Sequence, residues 1–315
     1  MCIRDSSNTS DASFNREINL TVTNAQGCDT SWIESITVNP QVRAAFNVDD
    51  QEFCYPHATT FINSSQPAVP LNYHWNFGDG SSSTDENPVH AYKNYSHTND
   101  QAFTVQLTAT SEFGCDSSVT REITVHPKPL ADFTYPVTAD CPPFTVPLTN
   151  RSKGTDLNYA WDFDNGNTST LQNPSVTFYN NGSSIIENQI QLIVTSAYLC
   201  GDTIIRPVQV YPDVTADFTA PLWNGCNPLH INFDGTATNE DEYYWYIDDL
   251  MFSNYEDAYY RFVNESSSDK TFAVRFMAQS AYGCSDDTMK MVTVYPKPVS
   301  YTHPDAADEE DSVDL

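Results

Sequence analysis

The cysteines are the residues of this 315-residue chain whose spacing first suggests chemistry, and there are eight of them. Cys28, Cys115, Cys200 and Cys284 follow at intervals of 87, 85 and 84 residues, and Cys54, Cys141 and Cys226 at 87 and 85. Cysteines in such a pattern can close disulfides, lie buried as free thiols or ligate a metal. No Cys-x-x-Cys occurs and no histidine recurs beside them, so disulfides are the expected state. Pairing within each interval joins Cys54 to Cys115, Cys141 to Cys200 and Cys226 to Cys284, with separations of 61, 59 and 58. Near-constant separations are what one bridge per module would give, and closing ~60 residues is worth up to ~4 kcal/mol on the chain-entropy model. Bridges of this kind imply an oxidising home, extracellular or at the cell surface. On this pairing Cys28 has no partner, and Cys2 belongs to no pattern.

Other chemistry finds little support. His-Glu-x-x-His, Gly-x-Ser-x-Gly, the P-loop and Gly-x-Gly-x-x-Gly are all absent. The seven histidines do not recur at one place: His90 becomes Val176 and then Tyr260. Counting cannot exclude a carboxylate pair among 42 acids, but no long insertion is left to build a cleft. The expectation is therefore no enzyme and no cofactor. Calcium is the one ionic candidate, at acidic pairs such as Asp49-Asp50 and Asp248-Asp249, because hard cations favour oxygen ligands. No EF-hand spacing occurs and the acidic sites differ between intervals, which favours solvated turns. With 14 bases against 42 acids the formal charge is −28. That argues against nucleic acid or an anionic membrane as partner, since both need cations to neutralise phosphate. No apolar run approaches the ~18 residues of a membrane span, so no membrane insertion is expected.

These residues must be held by short strands. Phe103, Val105, Leu107 and Ala109 alternate with polar residues before Cys115, as do Phe272, Val274, Phe276 and Ala278 before Cys284. Ile123 and Val125, Val208 and Val210, and Val292 and Val294 mark a second strand after each cysteine. Period-two alternation means strands with one buried face, and several per ~85 residues suggest two-sheet sandwiches. Trp75, Trp161 and Trp245 recur 86 and 84 apart, and Ala45-Phe46, Asp132-Phe133 and Asp217-Phe218 open successive units. The chain thus reads as an internal repeat: full copies at 41–127, 128–212 and 213–297, preceded by a partial copy in 1–40. Proline-rich joints such as His126-Pro127-Lys128-Pro129-Leu130 should be semi-rigid, giving a stalk on the order of 100 Å.

The middle of the first copy reads Tyr73-His74-Trp75-Asn76-Phe77-Gly78-Asp79-Gly80, then Asn87-Pro88-Val89-His90-Ala91-Tyr92. This resembles the PKD (polycystic kidney disease) domain, whose signature is Trp-Asp-Phe-Gly-Asp-Gly followed by Pro-x-His-x-Tyr. The second copy keeps Trp161-Asp162-Phe163-Asp164-Asn165-Gly166 and Asn173-Pro174; the third keeps Trp245 but reads Tyr246-Ile247-Asp248-Asp249-Leu250. The resemblance covers about residues 13–297. It implies an all-β chain of tandem immunoglobulin-like β-sandwiches, non-catalytic modules of surface and secreted proteins. Tandem copies with a Gly-Cys-x-Asp turn are similar to those in large surface proteins of Bacteroidetes-type bacteria. On physical grounds Tyr73, Trp75 and Phe77 fill a core, while Gly-Asp-Gly permits a tight turn.

Both ends depart from the repeat. Met1-Cys2-Ile3-Arg4-Asp5 match nothing in the pattern, and Met1 to Ser10 lack the apolar core of a signal peptide. The acidic stretch 298–315 stands where a new copy should open. Residues 1–6 and 298–315 resemble translated adapter read-through in metagenomic assemblies and are expected to be foreign to a natural gene fragment.

The third copy carries an unusual run, Tyr243-Tyr244-Trp245-Tyr246. If Tyr243, Trp245 and Ile247 face in, then Tyr244 and Tyr246 face out, as Tyr259 should beside an inward Tyr260. Exposed aromatics can stack on sugar rings or anchor a protein. The expected function is a monomeric, non-catalytic extracellular spacer and adhesion segment of a larger surface or secreted protein. A second class is a glycan- or surface-protein-binding module acting through Tyr244, Tyr246 and Tyr259. A third is an accessory segment of a secreted hydrolase.

Overall fold

The computed structural model describes residues 8–67 and 70–298, and every regular element among them is a strand. The chain forms two compact units. One holds the residues up to Tyr135 with Leu148–Pro174 and Ile190–Arg206; the other holds Pro136–Pro147, Ser175–Gln189 and everything from Pro207 onward. The first repeat lies wholly in one unit and the third wholly in the other, and the second contributes segments to both.

In the first repeat a three-stranded sheet runs Phe46–Val48, His57–Asn63, Val89–Tyr92. A five-stranded sheet runs Glu52–Cys54, Asp116–His126, Gln101–Ser111, Leu71–Asn76, Ser82–Ser83. Glu52–Cys54 is parallel to Asp116–His126, with Cys54 opposite His126; the other pairings are antiparallel. The third repeat has the same plan. Its three-stranded sheet is Thr215–Thr219, Leu229–Thr238, Ala258–Phe262, and its five-stranded sheet is Asn224–Cys226, Ser285–Tyr295, Lys270–Gln279, Glu242–Ile247, Leu250–Ser253. In the second repeat the five-stranded order recurs as Ala139–Asp140, Gly201–Val210, Ile186–Thr195, Asn158–Asp162, Thr168–Ser169. Its counterpart of the three-stranded sheet is broken into two pairs at Pro147. Proline has no N–H to give a ladder, which accounts for the break.

The cores follow the alternation. Val105, Leu107, Val274 and Phe276 are wholly buried, as are Ile123, Val125, Val208, Val210, Val292 and Val294. Each repeat centres on one tryptophan met edge-on by the phenylalanine that opens the repeat. Phe46–Trp75, Phe133–Trp161 and Phe218–Trp245 have centroids 5.0, 5.1 and 5.0 Å apart and planes at 73°, 73° and 76°. Each indole N–H donates to a loop carbonyl ten residues on, that of Asp85, Leu171 or Tyr255, at 2.9–3.0 Å. The large ring is thereby buried with its polar handle satisfied.

The tight turn survives in all three repeats by different means. Gly78 has φ +83°, and its counterparts Asp164 and Asp248 have φ 59° and 44°. In the third repeat Asp249 is also left-handed, at 66°. Two left-handed residues between Glu242–Ile247 and Leu250–Ser253 are what a two-residue hairpin requires, and Asp tolerates that region. Asp248-Asp249 therefore serves the turn.

Ahead of these repeats, Phe14–Thr23 and Asp29–Val38 form a two-stranded antiparallel sheet. It is the counterpart of the hairpin that ends each full repeat. Leu20 is 61% exposed, whereas its counterpart Leu107 is wholly buried. The expectations for residues 1–6 and most of 298–315 fall outside the described residues.

Candidate functional site

The cysteine pairing is the first correction. The structure bonds Cys54 to Cys200 and Cys141 to Cys284, across sequence separations of 146 and 143. Each bridge joins the early cysteine of one repeat to the late cysteine of the next. Cys115 is also disulfide-bonded, while Cys28 and Cys226 are exposed free thiols. The expected bridges Cys54–Cys115, Cys141–Cys200 and Cys226–Cys284 are thus not formed. Strand geometry explains why. Cys54 lies opposite His126, the last residue of Asp116–His126, whereas Cys115 immediately precedes the first. About ten residues at ~3.3 Å each separate the two ends by roughly 35 Å. A disulfide spans at most ~7 Å between Cα atoms.

The late cysteines sit on a built turn. In Ser111–Cys115, Ser196–Cys200 and Ser280–Cys284 the serine N–H donates to the cysteine carbonyl at 2.8, 2.9 and 2.8 Å. The residue before the cysteine is left-handed: Gly114, Leu199 and Gly283 have φ 75°, 65° and 85°. Asn24–Cys28 repeats the turn, with Gly27 at 86°. Glycine is the cheap residue there; Leu199 is the exception.

A ring two residues before the cysteine makes a second contact. Tyr198 lies parallel to His126, with centroids 3.6 Å apart and planes at 8°. Tyr282 lies over Tyr211 at 4.6 Å and 13°. The receiving ring stands between the last core valine and a proline, in Val125-His126-Pro127 and Val210-Tyr211-Pro212. Cys54 and His126 are register partners, and the Tyr211 N–H donates to Asp140, next to Cys141. Bridge and stack are therefore adjacent rungs of one contact, formed once in each compact unit.

Polar contacts complete each junction. Asp202, two residues after Cys200, accepts from Lys128 at 2.8 Å and from the Ala131 N–H at 2.9 Å. Burial raises its pKa, but the Lys128 and Ala131 hydrogen bonds outweigh that and hold it below the ordinary carboxylate value. Asp286 takes the Ala216 N–H at 2.8 Å in the same way. Thr155 donates to the Thr98 carbonyl at 3.0 Å, and Asn239 to the carbonyls of Gly182 and Asp213 at 3.0 and 2.7 Å.

A buried asparagine anchors the loop that enters each closing hairpin. Asn94, Asn180 and Asn264 donate through Nδ2 to the carbonyls of Val125, Val210 and Val294 at 2.8, 2.8 and 2.7 Å. Asn8 does the same to Val38 at 3.1 Å. These asparagines and the stacked rings escaped the sequence reading. Their only signal was recurrence at the repeat spacing, hidden among many loop asparagines and among rings that differ in type.

The three tyrosines do not form one face. Tyr244 and Tyr246 lie on Glu242–Ile247 of the five-stranded sheet, whereas Tyr259 lies on Ala258–Phe262 of the other sheet. Both point away from the core between. The Tyr244 hydroxyl donates to Glu242, which raises its pKa. The Arg275 guanidinium covers the Tyr246 ring at 4.2 Å, and the Tyr259 hydroxyl meets His230 Nδ1. Around Tyr246 the register brings together Met251, Arg275 and, one strand further, Met289. Asp50 lies 3.3 Å from His57. Among the described residues no three His, Cys, Asp or Glu side chains converge as a metal site.

Residues 37–126 match the PKD domain family. A crystal structure of the PKD1 domain of Vibrio anguillarum Epp is 27% identical, covering 28% of this chain and 98% of that one, with a TM-score of 0.23. Titin domains I67–I69 match over 82% of this chain and 99% of theirs, at 9% identity and a TM-score of 0.43. A calcium-stabilised adhesin with which an Antarctic bacterium reaches out and binds ice matches over 92% of this chain and 83% of its own, at 15% identity and a TM-score of 0.29. Residues 37–126 are a PKD domain, and the repeats that follow are all-β, immunoglobulin-like units built on the same five-stranded sheet order.

Proposed function

We propose that the chain is a non-catalytic extracellular spacer and adhesion segment whose repeats are coupled mechanically by their disulfides. The carrying observation is that the two bridges overlap in sequence: Cys54–Cys200 and Cys141–Cys284 share the stretch between Cys141 and Cys200. The shortest covalent route from Cys54 to Cys284 then runs through about 60 residues in place of about 230, so pulling on the ends can extend only a fraction of the chain. The bridges support an oxidising location. The acidity supports solubility. Among the described residues no helix is long and apolar enough to cross a membrane.

Single-molecule stretching tests this reading. The expected result is that opening Cys54–Cys200 and Cys141–Cys284 adds about 170 residues, or ~600 Å at ~3.5 Å each, to the extensible length between Cys54 and Cys284. Equal lengths with and without reductant would refute the coupling.

A second reading, a protein-binding face on the third repeat, is favoured by one observation. Met289, across Arg275 from Tyr246, and Met291, next but one on the same strand, are both more than half exposed, where the first repeat has Thr120 and Glu122. Flexible thioethers beside aromatics suit a protein surface better than a sugar ring. A Tyr244→Ser/Tyr246→Ser variant should lose protein capture while its glycan-array profile stays unchanged; loss of a glycan signal would point to sugar instead.

A further inference from the structure

The structure assigns a third, open junction at the end of the third repeat: Cys226, Tyr295 and Lys297 form a docking face for a further repeat of this same kind. Cys226 and Tyr295 are register partners on parallel strands, as Cys54 and His126 are. In the closed junction His126 is 5% exposed beneath Tyr198, whereas Tyr295 is 39% exposed and Cys226 is an exposed free thiol. The joint Pro296-Lys297-Pro298 repeats Pro127-Lys128-Pro129 residue for residue. Lys128 ion-pairs with the aspartate two residues past the bridging cysteine of its neighbour. Lys297 is exposed and has no ion pair among the described residues. The occupant these groups fit carries an aromatic-x-Cys-x-Asp tip, in which the ring covers Tyr295, the thiol meets Cys226 and the carboxylate meets Lys297. Tyr198-Leu199-Cys200-Gly201-Asp202 and Tyr282-Gly283-Cys284-Ser285-Asp286 are two such tips. The joint Pro296-Lys297-Pro298, alike to Pro127-Lys128-Pro129, is suited to an occupant of the same repeat type presented from this side.

The bridge closes by thiol–disulfide exchange. The incoming cysteine is first capped by a glutathione disulfide. The Cys226 thiolate then attacks that mixed disulfide, the protein disulfide forms, and glutathione leaves as the thiolate and takes up a proton.

This inference deepens the spacer reading but fails separately from it, because the stretching experiment reads Cys54–Cys200 and Cys141–Cys284 and not Cys226. The test uses the full chain with a second copy of residues 130–212 inserted between Pro298 and Val299, folded in a glutathione buffer. Alkylation and peptide mapping should find Cys226 linked to the inserted counterpart of Cys200. A parallel insertion of residues 214–298 presents the other tip, so misfolding of one insert, seen by proteolysis, leaves the second to decide. Tyr295→Ser or Lys297→Glu should shift the Cys226 bridge towards glutathione about 3- to 10-fold, the range of one lost stacking contact. Protease-resistant inserts with Cys226 still alkylated would overturn the proposal. So would Cys226 linked to Cys226 of another copy, or an equilibrium unmoved by both substitutions.

Discussion

Tyr198 lies flat over His126 with ring centroids 3.6 Å apart, directly beside the bridge from Cys54 to Cys200. The histidine ends the last core strand of one repeat, and the tyrosine tips the closing hairpin of the next. A sandwich can bury its own core and still swivel on a proline joint. Here one covalent bond and one stack, two residues apart on the tip, hold the joint from the same side. The same pair of contacts recurs at Tyr211–Tyr282 and Cys141–Cys284.

The stack should shield the bridge. Tyr198→Ser removes a contact worth about 0.5–1.5 kcal/mol. The Cys54–Cys200 disulfide should then be reduced several-fold faster by dithiothreitol, with Cys141–Cys284 unchanged as an internal control. Equal acceleration of both bridges would mean global loosening and not a local role.

Acid should weaken the junction, the turn at Asp79 and the strand-to-strand ion pair of Asp217 with Lys290 together. Asp79, Asp202 and Asp217 all titrate below their ordinary value of 3.8. For Asp79 and Asp202 burial pushes the other way and is overcome by hydrogen bonds, from Ser81 and His90 and from Lys128 respectively. For Asp217 the Lys290 hydrogen bond dominates. A carboxylate with a depressed native pKa binds its proton more weakly folded than unfolded. Its contribution is therefore complete above about pH 4–5 and is lost as pH falls through the native value below 3.8. Melting temperature should drop below about pH 4, and Asp202→Asn should flatten that drop.

Leu199 occupies a left-handed position that the other tips give to glycine, and its side chain is 83% exposed. Leu199→Gly relieves a strain of about 1–2 kcal/mol and loses little packing, against a somewhat larger unfolded-state entropy. The net should be a gain of up to about 1 kcal/mol, seen as a small rise in the midpoint of chemical unfolding.

The buried asparagines should be costly to remove. Asn180 is 1% exposed and donates to Ser184 and Val210. Asn180→Ala strands two acceptors and should cost about 2–4 kcal/mol. Asn8→Ala, in a hairpin that buries little, should cost far less by the same denaturation assay.

Much of this was legible in the sequence, because alternation and recurrence are local signals. The valine and phenylalanine strands, the tryptophan centres and the turn after Trp75 follow from period two and from spacing. The bridges did not follow. In a repeat, a constant separation is preserved whether Cys54 meets Cys115 or Cys200, since moving to the next copy adds a constant. Only the strand direction, which places Cys54 beside His126 and far from Cys115, separates the two. The grouping of Tyr259 with Tyr244 failed for a related reason. Outward alternation gives a side of a strand, but the two strands belong to different sheets.

Gly78 gives a test of how far one repeat can stand in for another. Its counterparts are Asp164 and Asp248, so aligning the repeats suggests that Gly78→Asp is harmless. The packing says otherwise. A Cβ on Gly78 would come within 2.6 Å of the Thr104 carbonyl oxygen, at a φ of +83°. The obstacle is backbone in the middle of a core strand and cannot swing aside. Left-handed strain and overpacking each cost about 1–3 kcal/mol. Gly78→Asp should therefore destabilise the first repeat by at least about 2 kcal/mol, whereas Asp164→Gly in the second repeat should be near neutral. Chemical unfolding followed by hydrogen exchange at the Gln101–Ser111 amides separates the repeats. Unchanged protection there in Gly78→Asp would show that the two turns are interchangeable after all.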